Sequence, residues 1–251
     1  MTGQARQARR VIVTGAASGF GRAIARRFAA LGDHVVLADI NEAGAQTLAA
    51  ELQGTALAVR TDVSVPADLQ ALMDRTAAEF GGIDVLVSNA GAGHRSGPVE
   101  GIPVEVFDSQ YALNLRSVFL GAKYAVPHMP GGSVIVNVAS IGGRRPRPFA
   151  AVYNSTKGGV LSLTRSLALE LAPGIRVCAV SPTGAQTGFL MSALGVAELT
   201  GDALKHVVDG IPMARLAEPG DVASAVEYLA SPEASYLTGV CLDIDGGRSV
   251  Q

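Results

Sequence analysis

The sequence predicts an α/β protein, a doubly wound parallel sheet of about seven strands with helices on both faces. Three observations point there. Short runs rich in Val, Ile and Leu recur along the chain, their apolarity is continuous rather than alternating, and longer segments of helical period separate them. Continuous apolar runs belong to strands covered on both faces, and strand–helix alternation implies right-handed crossovers. With 251 residues, 48% of them hydrophobic, the chain can bury one large core. We expect a single domain over residues 1–251.

The strands are expected at Val11–Val13, His34–Ala38, Ala56–Val59, Asp84–Val87, Ser133–Val138, Arg176–Val180 and Val240–Ile244. Helical period runs through Arg22–Leu31, Gly44–Leu52, Ala67–Phe80, Val104–Pro127 and Tyr153–Leu171. Loops are expected near Gly81-Gly82, around Gly131-Gly132 and from Pro146 to Pro148, where polar or helix-breaking residues cluster. Residues 187–211 break the rhythm with four spaced glycines, and an insertion there is a candidate lid over a substrate. Phe189, Leu190, Met191 and Leu194 give that lid an apolar face.

A formal net charge of −2 supplies no general field for nucleic acid or anionic membrane, so neither is expected as a partner. The basic N-terminus (Arg6, Arg9, Arg10) precedes an apolar stretch too short for a signal peptide or a membrane span. Cys178 and Cys241 lie in apolar runs and read as buried, inert thiols of a reducing compartment. A cytoplasmic protein is expected. His34, His128 and His206 have no ligand-like spacing with Cys, Asp or Glu, so no metal is assigned.

The first strand runs directly into Thr14-Gly15-Ala16-Ala17-Ser18-Gly19-Phe20-Gly21 and then a helical pattern. Glycines let such a turn bend and approach a pyrophosphate, and the following helix offers free N–H groups and the positive end of its dipole. The second strand ends at Asp39, where a carboxylate can accept hydrogen bonds from adenosine ribose hydroxyls and repel a 2′-phosphate. Ser18 and Ile40, the nearby positions where a cation would hold that phosphate, are uncharged. The expected cofactor is therefore NAD rather than NADP. Asp39 has a plainer alternative as a cap for the next helix.

Tyr153 stands four residues before Lys157, a spacing that puts both on one helix face. With the glycines and Asp39, this pair makes the chain resemble the classical short-chain dehydrogenase/reductase family over essentially its whole length. The resemblance rests on ordered matches: Gly15, Gly19 and Gly21; Asp62-Val63; Asn89-Ala90-Gly91; and Asn114, Ser140, Tyr153 and Lys157. It implies a Rossmann-like fold, an alcohol dehydrogenase or carbonyl reductase activity, and a homotetramer. Tyr153 would be the acid or base, Ser140 the group that hydrogen-bonds the substrate oxygen, and Lys157 the partner of the nicotinamide ribose. Asn114 would hold a water linking Lys157 to solvent. A free phenol has a pKa near 10, and a neighbouring ammonium together with a positive nicotinamide would favour phenolate. The resemblance places Asp62-Val63 beside adenine, and Asn89-Ala90-Gly91 at the turn after the fourth strand. Phe20, Pro182, Ala185 and Thr187 complete the implied cofactor set, the last two against the carboxamide. Ser181-Pro182-Thr183 replaces the family's Asn-Pro-Gly, which puts the backbone path at Thr183 in question.

Arg144, Arg145 and Arg147 lie between Ser140 and Tyr153, and His94-Arg95 follows the fourth strand. Guanidinium groups match carboxylate, sulfonate or phosphate oxygens, so His94, Arg95, Arg145 and Phe189 are candidate contacts of an anionic small-molecule substrate. The alternative is that these arginines are solvated or bridge subunits. The His94-Arg95 and Arg145-Pro146 pieces resemble a branch containing aryl-alcohol and formylbenzenesulfonate dehydrogenases. Two other functions stay open: a 3-ketoacyl-carrier-protein reductase, and a non-catalytic dinucleotide sensor on the same fold.

Overall fold

The computed structural model describes residues 7–185 and 189–250. Seven parallel strands form one sheet: β1 (Arg10–Thr14), β2 (His34–Asp39), β3 (Ala56–Arg60), β4 (Val85–Ser88), β5 (Ser133–Val138), β6 (Ile175–Pro182) and β7 (Cys241–Ile244). Their order is β3-β2-β1-β4-β5-β6-β7. The fold is Rossmann-like, as the alternation of elements requires.

Alternate side chains of each strand enter different layers, because a strand has a period of two. Val11 and Val13 join a core with α1 (Gly19–Ala30) and α2 (Glu42–Glu51), where Ile24, Phe28 and Leu48 are buried. Ile12 and Leu86 face the other way, onto Leu69, Leu72 and Met73 of α3 (Pro66–Phe80). That second layer continues through α4 (Val104–Tyr111), α5 (Ser117–Ala125) and α6 (Ala151–Leu171). Beyond β6 come α7 (Phe189–Leu194), α8 (Gly201–Asp209) and α9 (Pro219–Leu229), and Val222 and Val226 of α9 close the first layer against α1. No helix among the described residues is long and apolar enough to cross a membrane.

Sequence and structure part company at the expected helix Val104–Pro127. The chain is helical there, but a π turn at Ala112–Arg116 separates α4 from α5, and Val126–His128 closes as 3₁₀. The cause is tertiary. Asn114, in the middle of the π turn, is fully buried with its amide bonded in both directions to the backbone of Ala92, which fixes the helix against the loop after β4. Cys241 is a second correction: it lies at the partly exposed edge strand rather than in the core, while Cys178 is buried as expected.

Strand order reverses between β1 and β4, which opens a crevice beyond their C-terminal ends. The turns after β1, β4, β5 and β6 all emerge at that edge, and they carry most of the residues singled out from the sequence.

Candidate active site

The turn after β1 is built for close approach. Gly15 has φ 66° and Gly19 φ 52°, both in the left-handed region that favours glycine. A Cβ on Gly21 would lie 2.0 Å from the Gly15 carbonyl oxygen, so no side chain fits there. Ser18 occupies the N-cap of α1 without a side-chain cap bond, and the first turn holds no acidic residue. The leading N–H groups of α1, at Gly19 and Phe20, are therefore uncapped by any side chain and face a position electrostatically suited to an anion.

Asp39, at the end of β2, is pinned beside this turn. Its two oxygens accept hydrogen bonds from Ala17 N (2.9 Å) and Asn41 N (2.8 Å). The alternative role as a helix cap falls to Asn41, whose side chain accepts from Gly44 N. Ile40 points outward, 60% exposed. Across the crevice, Asn89 donates its amide to the carbonyls of Thr14 (2.8 Å) and Gly15 (3.2 Å). The Thr14 hydroxyl accepts from Asn89 N and Ala90 N. Thr14 thus locks the two turns together, a role unseen in the sequence because strand-end threonines are common. Asp62 accepts from Ser64 N and Ser64 Oγ, with Val63 buried next to it. These residues fit a dinucleotide: a cradle without side chains, uncapped N–H groups and a fixed carboxylate at the ribose end.

Tyr153 and Lys157 project from one face of α6, and both are buried. Gly143 makes the approach of the turn after β5 possible, since a Cβ there would lie 2.7 Å from the Lys157 backbone. That contact brings Ser140 to Tyr153: a Cβ on Gly142 would meet both, Ser140 Oγ at 3.5 Å and the Tyr153 ring at 3.7 Å. Ser140 Oγ also accepts from Gly142 N at 3.1 Å. Lys157 Nζ donates to the Val138 carbonyl (2.9 Å) and lies 5.9 Å from the centroid of the Tyr153 ring.

Burial governs the ionisation of both groups. It pushes the Tyr153 phenol above its usual value, against opposing pulls from the Ser140 hydrogen bond and the Arg147 charge. It lowers the Lys157 ammonium to about 8. In the protein without its cofactor, desolvation of the phenol outweighs Ser140 and the Arg147 charge, so the pull toward phenolate falls to the nicotinamide that the resemblance places there.

Asn114 also differs from its expected form. Its Oδ1 accepts from Ala92 N (3.1 Å), and its Nδ2 donates to Ala92 O (2.9 Å) and Gln110 Oε1 (2.9 Å). The amide is committed to the fold, so a water held from this position must use the main chain, which the wide π turn displaces. A Cβ on Gly91 would meet Asn114 Oδ1 at 2.7 Å and Lys157 Nζ at 3.3 Å, so the three positions converge. Gln110 escaped sequence reading, although its i,i+4 spacing to Asn114 was the available signal.

On the substrate side the basic residues disperse. Arg144 pairs with Asp243 (3.1 Å), Arg145 donates to the Arg248 carbonyl, and Arg95 is exposed. Arg147 is the loop arginine whose charge acts on the Tyr153 hydroxyl. His94 is buried, 8% exposed. Pro182 ends β6 and Ala185 is buried beyond it. Thr183 has an ordinary backbone conformation with its N–H on the Ile244 carbonyl, so the replacement of glycine is accommodated without strain. Thr187 and the side chain of Phe189 lie outside the described residues, as do those of Leu190 and Leu194.

The family model described as enoyl-(acyl carrier protein) reductase matches residues 15–249. The chain is 44% identical over 245 residues to 4-formylbenzenesulfonate dehydrogenase of Comamonas testosteroni, covering 95% of this chain and 97% of the relative. It belongs to the short-chain dehydrogenase/reductase family. This short-chain dehydrogenase/reductase is also 42% identical to cis-4-hydroxycyclohexanecarboxylate dehydrogenase of Sinomonas cyclohexanicum, over 98% of both chains. Among solved structures, a 3-ketoacyl-(acyl-carrier-protein) reductase of Brucella melitensis complexed with NADH superposes with TM-score 0.87 at 44% identity, covering 95% of this chain and 97% of that one. A short-chain dehydrogenase of Burkholderia cenocepacia in complex with NADP superposes with TM-score 0.89 at 30% identity, over 98% and 99%. The protein is an oxidoreductase of this family, whose members divide between the two nicotinamide cofactors.

Proposed function

We propose that this chain is an NAD-dependent dehydrogenase acting on a secondary or activated primary alcohol, or the matching carbonyl, that carries an acidic group. The observation that supports it most directly is the buried cluster of Ser140, Tyr153 and Lys157 beside a cradle that fits a dinucleotide. When bound, the nicotinamide supplies or accepts the hydride. Tyr153 Oη, with Ser140 beside it, gives its proton to the carbonyl oxygen in reduction. In oxidation it takes the alcohol proton once phenolate is favoured by the positive nicotinamide and the phenol's own proton has left through Lys157 and the water. Ser140 Oγ donates to that oxygen as negative charge develops on it. Lys157 Nζ, released from the Val138 carbonyl, binds the ribose hydroxyls, and the main chain of the π turn at Asn114 holds the water through which protons leave.

NAD over NADP rests on Asp39, since the family includes chains solved with either cofactor. The acidic substituent is supported by the sulfonate and carboxylate in the names of two relatives and by the exposed Arg147, whose positive charge is felt at Tyr153. Arg147 takes the place first given to Arg145, whose guanidinium donates to the Arg248 carbonyl, and to Arg95, which is exposed like Arg147 but whose charge does not act on Tyr153.

A ketoacyl-carrier-protein reductase is the second reading, favoured by the Brucella neighbour, whose NADH complex removes cofactor choice as an argument against it. Turnover of 4-carboxybenzyl alcohol, benzyl alcohol and an acetoacetyl thioester separates the two. The Arg147→Gln variant should raise the Michaelis constant for the carboxylated alcohol about 10-fold and leave benzyl alcohol unchanged. Preference for the thioester, or an equal effect of Arg147→Gln on both alcohols, counts against the acidic-alcohol reading.

A further inference from the structure

The loop after β4 encloses a side chain that the fold leaves unpaired. His94 is more than nine-tenths buried, and neither Nδ1 nor Nε2 has a hydrogen-bond partner. Of the described residues with fully enclosed polar side-chain atoms left unpaired, His94 alone contributes more than one such atom. An ordinary interior histidine bonds at least one nitrogen to a carbonyl or carboxylate, because an unpaired buried polar group is costly. Burial also lowers the basicity of the ring, which keeps it neutral, with one nitrogen a donor and the other an acceptor.

The surrounding backbone is held firmly. Ala92 is bonded both ways to Asn114, and the Gly93 carbonyl accepts from Gln110 Nε2 (3.2 Å). Gly93 N donates to Ser192 Oγ of α7 (3.2 Å), Ser96 N to the Ala193 carbonyl (3.4 Å) and Gly97 N to the Phe149 carbonyl (2.9 Å). His94 is therefore enclosed between the π turn, α7 and the Phe149 turn, three residues past Gly91, which abuts Lys157 Nζ. A ring fixed in position with both nitrogens unused is pre-organised for a ligand rather than for the fold.

We propose that His94 is a specificity-determining residue whose ring N–H donates to an oxygen of the substrate other than the reacting one, on an acidic or hydroxyl substituent. This rests on the dehydrogenase reading above. Arg95 takes no part: it is exposed while His94 is buried.

The test compares kcat/KM with NAD for benzyl alcohol, 4-carboxybenzyl alcohol and 4-hydroxybenzyl alcohol. His94→Phe keeps the ring and removes both nitrogens; His94→Asn restores a donor. The wild-type enzyme should prefer a substituted alcohol. His94→Phe should erase that preference by about 10- to 100-fold while benzyl alcohol stays within about twofold, and His94→Asn should recover part of it. The carboxylated and hydroxylated arms tell an acid from a hydroxyl. An unchanged preference in His94→Phe, or an equal loss on all three alcohols, overturns the proposal. A second readout needs no turnover: in the NADH complex, the His94 ring signal, recognised by its loss in His94→Phe, should move when 4-hydroxybenzoate is added. A stationary signal at saturating 4-hydroxybenzoate overturns the proposal. Failure of the dehydrogenase reading looks different, because it would show as activity surviving Tyr153→Phe.

Discussion

Tyr153 and Lys157 share one burial but feel it with opposite signs. Desolvation disfavours charge, so the phenol is held protonated and the ammonium loses its proton more readily, near pH 8. Between about pH 8 and 10 the folded protein holds fewer protons at Lys157 than the unfolded chain, so stability from this group rises with pH there. Urea unfolding at pH 7 and 9.5 should show the wild type gaining on Lys157→Met as pH increases; a difference that is constant or shrinks contradicts the burial. Asp39 makes a second residue-scale prediction. Asp39→Ser with Ile40→Arg removes the repelling carboxylate and adds a cation, so the NADP-to-NAD ratio of kcat/KM should rise at least about 100-fold. The Tyr-Lys spacing and Asp39 were legible because their meaning lies in sequence distance. Thr14, Gln110 and the unpaired ring of His94 were not, since each takes its meaning from a partner, or the lack of one, that only the folded chain defines.

At the scale of elements, the strands and the helices up to α6 followed from the apolar pattern, and their boundaries moved by up to three residues. The π turn was invisible because its flanks keep a helical period; only the bonds of Asn114 to Ala92 reveal why the helix widens. Asn114→Leu would strand the Ala92 N–H and carbonyl together with Gln110, and should cost about 2–4 kcal/mol in urea unfolding. The turn after β1 is equally constrained. Gly21→Val should abolish NADH binding, read by fluorescence titration, because its side chain would overlap the Gly15 carbonyl.

For the molecule as a whole, the reversal of strand order between β1 and β4 gathers four turns at one edge, and that juxtaposition makes a site from residues scattered between 14 and 185. The outer surface asks for partners. Leu169 on α6 is 86% exposed, the stacked Phe107–Tyr111 pair lies on α4, and Phe119 on α5 is half exposed. We propose that this apolar surface, spread over three helices, serves the homotetramer that the family resemblance implies. Light scattering at micromolar concentration should give the mass of four chains, and a monomer contradicts it.

The central claim is hydride transfer driven by the cluster on α6, and one measurement addresses it most directly. Nicotinamide absorbance should be followed with NAD and 4-carboxybenzyl alcohol, for the wild type and Tyr153→Phe, alongside NADH binding to each. The account predicts turnover by the wild type, a loss of about 10²- to 10⁴-fold or more in the variant, and unchanged NADH affinity. Comparable turnover by both proteins would contradict it.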